Sequence, residues 1–317
     1  MSRGKRNSFK AEFEPGENLL LSWNSKYNDL PYRKIATAVI QDGTRLIVVC
    51  RSARDRIQIS NILKAYAIPT DSIRFLLFDF DSIWARDYTP LPVWTPDRKT
   101  GLSGYVYSKG KNRTHDANFP AFLHQELGLP LTPHDLILSG GNFVTNGQGI
   151  VICTDQLTDE NAGQRASIGS FFTLHNAPRL LVIKKLEHEY TGHIDMLMKF
   201  VRPDVLLVAG LDPGMKDYPT MEENVQYIRS ELPHCEVIEI PIAPDNGSYE
   251  HLGNVFYSYI NSVILKKTVL LPLYGEATDD RAMDIYQNLF PGHIIEGIYC
   301  KDLVQLKGAL HCMTAQF

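Results

Sequence analysis

The sequence predicts an α/β fold built from repeated units, and three observations carry that prediction. Short apolar runs alternate with amphipathic helical stretches along the 317 residues. The strand–helix–strand pattern recurs about five times at similar spacing. The last apolar stretch, at the C-terminus, has no helix after it. Periodicity alone leaves a doubly wound sheet and a circular arrangement open. A circular arrangement would use the last strand to close on the first unit and so tie down a chain end that would otherwise fray. No linker-like or low-complexity segment interrupts the pattern, so one domain over residues 1–317 is expected.

In chain order, "NLLLSW" (18–23) reads as a strand and "LPYRKIATAVIQD" as a helix, followed by "RLIVVC" (45–50) as the next strand. "RDRIQISNILKAYA" is helical and "IRFLLFDFD" (73–81) is a strand. "GIVICT" (149–154) and "RLLVIKKL" (179–186) flank one helical stretch, "TDENAGQRASIGSFFTLHNA". "DVLLVAG" (204–210) and "CEVIEIPI" (235–242) flank "YPTMEENVQYIRSEL". "TVLLPLYG" (268–275) and "HIIEGIYC" (293–300) flank "EATDDRAMDIYQNLF". "GALHCMT" is the final strand candidate. Residues 94–120 and 242–254 are rich in Gly, Pro, Asn and Asp and read as long loops, a setting that often carries function.

Composition narrows the function. The chain is 44% hydrophobic and 21% charged, with a formal charge of −4. There is no basic field to hold nucleic acid or an anionic membrane. The basic, polar N-terminus has no apolar run behind it, and no stretch is long enough to span a bilayer. A cytoplasmic location is therefore expected. The five cysteines are odd in number and lack CxxC or Cys/His ligand spacing, which argues against a disulfide framework and a structural zinc site. Cys50, Cys153, Cys235 and Cys300 sit in or beside apolar runs and read as buried, inert thiols. Cys312, beside His311, has reactive neighbours.

Polar clusters sit at the ends of the apolar runs. "DFDSIWARD" brings Asp79, Asp81 and Asp87 to one strand exit, with Arg86 beside the last of them. Three carboxylates there suit a cationic ligand better than a core. "LSGGNFVTNGQG" places Gly140 and Gly141 where the backbone can approach closely or turn. "YTGHIDMLMKF" spaces His193 and Asp195 two apart, one face of a strand. Alone, each cluster has a plain structural reading: a surface ion pair, a hairpin, a satisfied histidine. Together they describe a cysteine nucleophile with His193 as acid/base. Nearby aspartates would raise a thiol pKa and oppose its activation. They make sense if the substrate is itself the cation, and a planar guanidinium matches carboxylates best.

"AEFEPGENLLLSW", "WARDYTP", "GGN", "GHIDM", "YINSVILKKTVLLPLYG" and "GALHCMTAQF" occur in one order across the whole chain. In this the sequence closely resembles the agmatine deiminase and Porphyromonas-type peptidylarginine deiminase family. The resemblance implies the pentein fold, a five-bladed α/β propeller of ββαβ-type repeats with pseudo-fivefold symmetry. It implies Cys312 as nucleophile, His193 as general acid/base, and Asp87 and Asp195 as the carboxylates that hold the guanidinium. Asn261 matches a position near the active site, and Trp84 a pocket wall; Arg86, Gly141 and Asn142 fall within the same motifs. It assigns no catalytic role to His311. No metal or organic cofactor is implied. The expected partner is a guanidinium-bearing small molecule or peptide, with neither nucleic acid nor membrane, and a homodimer is one option for assembly.

The sequence departs from agmatine deiminases at three places, one of them "LEHEYTGHID", where those enzymes carry an acidic run before the His-x-Asp motif. Ser139 stands where those enzymes carry Glu, and their Trp-Gly stretch is replaced by "YSKGKNRTHD". Lys109, Lys111 and Arg113 in that loop either form a solvated basic loop or, as the resemblance to the peptidylarginine branch implies, pair with a substrate carboxylate such as that of a C-terminal or free arginine. The alternatives are an agmatine deiminase, an amidinotransferase with an amine acceptor in place of water, and a binding protein that has lost turnover. Glu189 remains a candidate carboxylate at the pocket rim.

Overall fold

A computed structural model describes residues 6–14, 16–107, 113–243 and 256–317. The chain opens with the short strand β1 (Ser8–Phe9) and lays down β2 (Asn18–Ser22), α1 (Leu30–Asp42), β3 (Arg45–Cys50), α2 (Ala53–Ala65) and β4 (Ile73–Leu77). The apolar run of β3 is buried from Leu46 to Cys50, because a parallel strand between two others has no solvent face. Helix α1 starts with Pro31 in its first turn and buries Ile35, Ala36 and Val39 on one stripe. Helix α2 starts where the Ser52 hydroxyl accepts from Asp55 N–H at 3.1 Å.

The second unit is the one-turn helix α3 (Ala85–Tyr88), β5 (Leu91–Trp94), β6 (Thr100–Ser103), α4 (Phe119–Leu127) and β7 (Leu131–Thr132). The third is β8 (Val144–Thr145), β9 (Ile150–Thr154), α5 (Gln156–Glu160), α6 (Arg165–Leu174) and β10 (Arg179–Ile183). The fourth is β11 (Met198–Arg202), β12 (Val205–Gly210), α7 (Tyr218–Glu231) and β13 (Glu236–Pro241). The fifth is β14 (Val263–Ile264), β15 (Thr268–Leu273), α8 (Thr278–Leu289) and β16 (Ile294–Tyr299), after which α9 (Lys301–Val304) and β17 (Thr314–Gln316) end the chain.

Among the described residues these strands form five small sheets. Each contains an antiparallel pair followed by a parallel crossover through helix: β5-β6-β7, with β1 added antiparallel at the β5 edge, β8-β9-β10, β11-β12-β13 and β14-β15-β16. In the first sheet the antiparallel strand comes from the far end of the chain. β17 pairs with β2, Thr314 opposite Leu21 and Gln316 opposite Leu19. The C-terminus is thereby tied to the first unit. Leu19, Leu20, Leu21, Val48 and Val49 are fully enclosed there, each worth about 1.5–3 kcal/mol by transfer from water.

Four sequence expectations need correction. The final strand begins after Cys312, so His311 and Cys312 lie in the turn that leads into it. His193 and Asp195 flank a 3-10 turn at 194–196 rather than sharing a strand face, because β11 starts only at Met198. The single helix expected across 158–177 is two: the Asn161 amide leaves the helix to hold Ile137 N–H at 2.9 Å and Ile137 C=O at 2.8 Å. The long loop at 94–120 contains the edge of β5 and the whole of β6.

Candidate active site

Five polar segments occupy corresponding places in the five sheets, each two to four residues before the strand that opens the antiparallel pair. Asp87 precedes β5, Gly141 precedes β8, Asp195 precedes β11, Asn261 precedes β14 and Cys312 precedes β17. The topology thus delivers residues from across the chain to one place. Gly141 marks it: a Cβ there would lie 2.6 Å from His193 Nδ1, 2.9 Å from Asp87 Oδ1 and 3.2 Å from Asp195 Oδ2. A Cβ on Gly140 would meet the Arg86 carbonyl oxygen, so the adjacent glycines let one turn press against α3 and the histidine together.

Cys312 is buried among these groups. Its thiol donates toward Asp195 Oδ2 at 3.8 Å, and Asn261 Nδ2 donates to Cys312 Sγ at 3.2 Å. Asn261 also fixes the turn, accepting from the His311 and Cys312 backbone N–H groups at 3.0 and 3.3 Å through Oδ1. The Arg86 N–H donates to Cys312 C=O at 3.0 Å, joining this turn to α3. His193 Nδ1 lies 3.4 Å from Asp87 Oδ1. The His193 loop is shaped by Glu189, whose carboxylate accepts from the backbone N–H groups of Thr191, Gly192 and His193 and from the Thr191 hydroxyl. Glu189 is therefore buried scaffold and not a rim carboxylate; burial raises its pKa.

The electrostatics run against a free thiolate. Burial, then Asp195 and Asp87, push the Cys312 pKa well above that of an ordinary thiol. Burial alone would raise Asp195 too, but His311, His193 and Arg86 outweigh it and hold the carboxyl below its usual range. Asp195 Oδ2 lies 2.7 Å from His311 Nδ1, whereas Asp195 Oδ1 is buried with no hydrogen-bond donor among the described residues. An anionic oxygen in that position costs roughly 1–3 kcal/mol or more unless a ligand supplies the donor.

The other expected residues divide. The Trp84 ring packs against Gly308, four residues before Cys312, which suits a wall. Asn142 Oδ1 accepts from Thr154 N–H at 2.9 Å and Thr154 hydroxyl at 3.1 Å, while its buried Nδ2 has no acceptor among the described residues. Arg86 lines a rear cavity, with Nε toward His311 C=O at 3.5 Å, and is not the surface ion pair its neighbours suggested. Asp79 pairs with Arg51 at 2.8 Å on the surface, and Asp81 accepts from His115 N–H at 2.8 Å, so only Asp87 of that trio reaches the site. Arg113 pairs with Asp116 at 3.6 Å. Lys109 and Lys111, and most of the loop 242–254, lie outside the described residues. Cys50, Cys153 and Cys300 are buried as expected, whereas Cys235 is partly exposed.

Sequence reasoning missed three ionisable residues beside the site, Glu12, Lys199 and His311. Glu12 Oε2 lies 3.0 Å from His311 Nε2 and accepts from Lys199 Nζ at 2.6 Å. Lys199 had a signal, a lone cation in the apolar "MLMKF"; Glu12 and His311 sat inside quoted motifs but were given no chemistry.

The crowding at Gly141 yields a prediction. Gly141→Ala must displace His193 or Asp87; should these groups act on a substrate, a shift of about 1 Å costs roughly 100-fold. Steady-state kinetics should show that loss in kcat, with circular dichroism unchanged.

Among the described residues the chain has an α/β fold of five small sheets, with Cys312, His193, Asp87 and Asp195 brought together just before the strands that open them, and that fold is shared with solved deiminase structures. Residues 8–317 match the family described as Porphyromonas-type peptidyl-arginine deiminase, and the chain belongs to that family. A protein of Marinomonas sp. assigned by name to the agmatine deiminases is 22% identical, over 96% of this chain and 93% of its own. The structure of the Enterococcus faecalis agmatine deiminase superposes with a TM-score of 0.85 at 19% identity, covering 99% of this chain and 98% of that one. A Porphyromonas gingivalis structure assigned by name to the arginine deiminases superposes with a TM-score of 0.83 at 23% identity, covering 98% of each chain.

Proposed function

We propose that the protein is a hydrolase that converts a guanidinium group to a ureido group and ammonia through a covalent intermediate on Cys312. The observation that carries this is the buried thiol held 3.8 Å from Asp195 Oδ2, with the other oxygen of that carboxylate lacking a donor. Asp195 and Asp87 take the guanidinium N–H groups. The substrate cation offsets the two charges that oppose ionisation, so the Cys312 thiol gives its proton to His193 and thiolate forms when substrate is bound. Cys312 Sγ attacks the central carbon and gives a tetrahedral intermediate. His193 protonates one nitrogen, the C–N bond breaks and ammonia leaves, with a thiouronium remaining on sulfur. His193 then takes a proton from water, which attacks the same carbon. The C–S bond breaks and the ureido product leaves. No metal or organic cofactor enters these steps.

The five sheets, in this reading, are the blades of a propeller about a pseudo-fivefold axis, in one domain over residues 1–317. Its interior end carries the site, since the five pre-strand positions converge there. All five cysteines are free, which suits a reducing, cytoplasmic location; no helix among the described residues is long and apolar enough to cross a membrane.

The preferred substrate is a C-terminal or free arginine. Support comes from the basic segment containing Lys109, Lys111 and Arg113, and from Ser139, which is buried and uncharged at the turn before Gly140. Arg113 is partly engaged by Asp116, so the lysines carry most of this expectation. A second reading, agmatine, is favoured by the names of the relatives. Specificity constants for agmatine, arginine and a short peptide ending in arginine decide between them. The proposal predicts preference for the carboxylate-bearing substrates, weakened about tenfold by joint Lys109→Ala and Lys111→Ala and weakened less at high salt. A clear preference for agmatine, unchanged by the double substitution, assigns the agmatine reading instead.

A further inference from the structure

His311 sits between two carboxylates: Nδ1 is 2.7 Å from Asp195 Oδ2 and Nε2 is 3.0 Å from Glu12 Oε2. A neutral imidazole has one donor and one acceptor nitrogen, so one contact would set lone pair against lone pair. Glu12 stays ionised: burial would raise its pKa, but Lys199 and His311 hold it well below the usual carboxylate range. Lys199 Nζ is itself anchored to Ser262 C=O at 2.8 Å, and Ile264 N–H donates to Glu12 Oε1 at 3.2 Å. The groups follow one another in one buried line, Lys199, Glu12, His311, Asp195, with Arg86 alongside. Behind it lies a cavity of about 50 Å³, lined by Glu12, Arg86, Lys199 and His311 among others; Lys10 and Glu14 are its remaining ionisable walls.

We propose that His311 is a positioning residue held as an imidazolium, which aims Asp195 at the substrate and places a fixed positive charge one residue from the nucleophile. The inference rests on the reading of Cys312 as nucleophile and deepens it. By occupying Asp195 Oδ2, His311 leaves Oδ1 to the substrate. Its charge partly offsets the two aspartates that oppose the thiolate.

The test has three arms. First, ¹⁵N spectra of histidine-labelled protein, with His311 identified by its loss in His311→Gln, should show both ring nitrogens protonated at pH 7. A neutral tautomer at that pH overturns the proposal, and this arm needs no variant to be active. Second, the pH midpoint for alkylation of Cys312 by iodoacetamide should rise by about one unit or more in His311→Gln. An unchanged midpoint in a folded variant also overturns it. Third, on the substrate found above, His311→Gln keeps a donor to Asp195 and should lower kcat at least about tenfold with KM little changed, whereas His311→Leu should also raise KM. Equal losses in both variants, with no pH shift, would mean a role in packing only. The first two arms use no substrate. Failure to find any guanidinium turnover would therefore leave them readable and would count against the deiminase reading alone.

Discussion

Cys312→Ser is expected to abolish deimination, with a fall of at least about 10⁴-fold, while the thermal unfolding midpoint stays near that of the parent. The exchange is close to isosteric, and the turn that holds residue 312 is fixed by its backbone through Asn261 and Arg86, not by the sulfur. The other four cysteines behave differently. Cys50, Cys153 and Cys300 are buried filler, so Ala at each costs roughly 1 kcal/mol of stability and little activity. Cys235 is half-exposed and remote from the site elements, so Ala there should change neither. Ammonia release by each variant, beside its denaturation curve, measures both halves of the expectation. Substantial turnover by Cys312→Ser would remove the covalent mechanism.

Asp195→Asn and Asp87→Asn should show opposite signs in two assays. Each removes a charged hydrogen bond to the bound guanidinium, so kcat/KM should fall by roughly 2–4 kcal/mol of transition-state stabilisation, about 30- to 1000-fold. Each also removes a negative charge that raises the Cys312 pKa in the free protein. The thiol then ionises at lower pH, and alkylation of Cys312 without substrate should become faster at neutral pH in Asp87→Asn. In Asp195→Asn the gain is smaller, because His311 loses its carboxylate partner and with it a reason to stay protonated. Turnover within a few-fold of the parent in either variant would show that the carboxylate does not touch the substrate.

The legible part of this molecule was what lies close in sequence. Leu30–Asp42 and Arg45–Cys50 could be read to the residue, because an amphipathic stripe and an unbroken apolar run are local signals. Cys312, His193, Asp195 and Asp87 were legible as motifs, and Asn261 through the resemblance. What bound them together was not. Glu12 and Lys199 are 187 residues apart, and Asp195 and His311 are 116 apart, so their pairing follows from the tertiary fold and from no local pattern. Strand limits near the site also failed. "GALHCMT" and "GHIDM" are apolar enough to extend, yet both are held as turns by side chains from elsewhere, Asn261 in one case and Glu189 in the other. The place of Arg86 was not legible either: next to Asp87 in sequence, it lines a cavity together with Glu12, Lys199 and His311.

Acid-quenched mass spectrometry during turnover tests the central claim most directly. The protein is mixed with the best guanidinium substrate, stopped within one turnover, digested and mapped. The account predicts an adduct equal to the substrate less ammonia, on the peptide that carries Cys312 and nowhere else, appearing before the ureido product is released. Ureido product formed with no adduct on Cys312, or with the adduct on another residue, would contradict it.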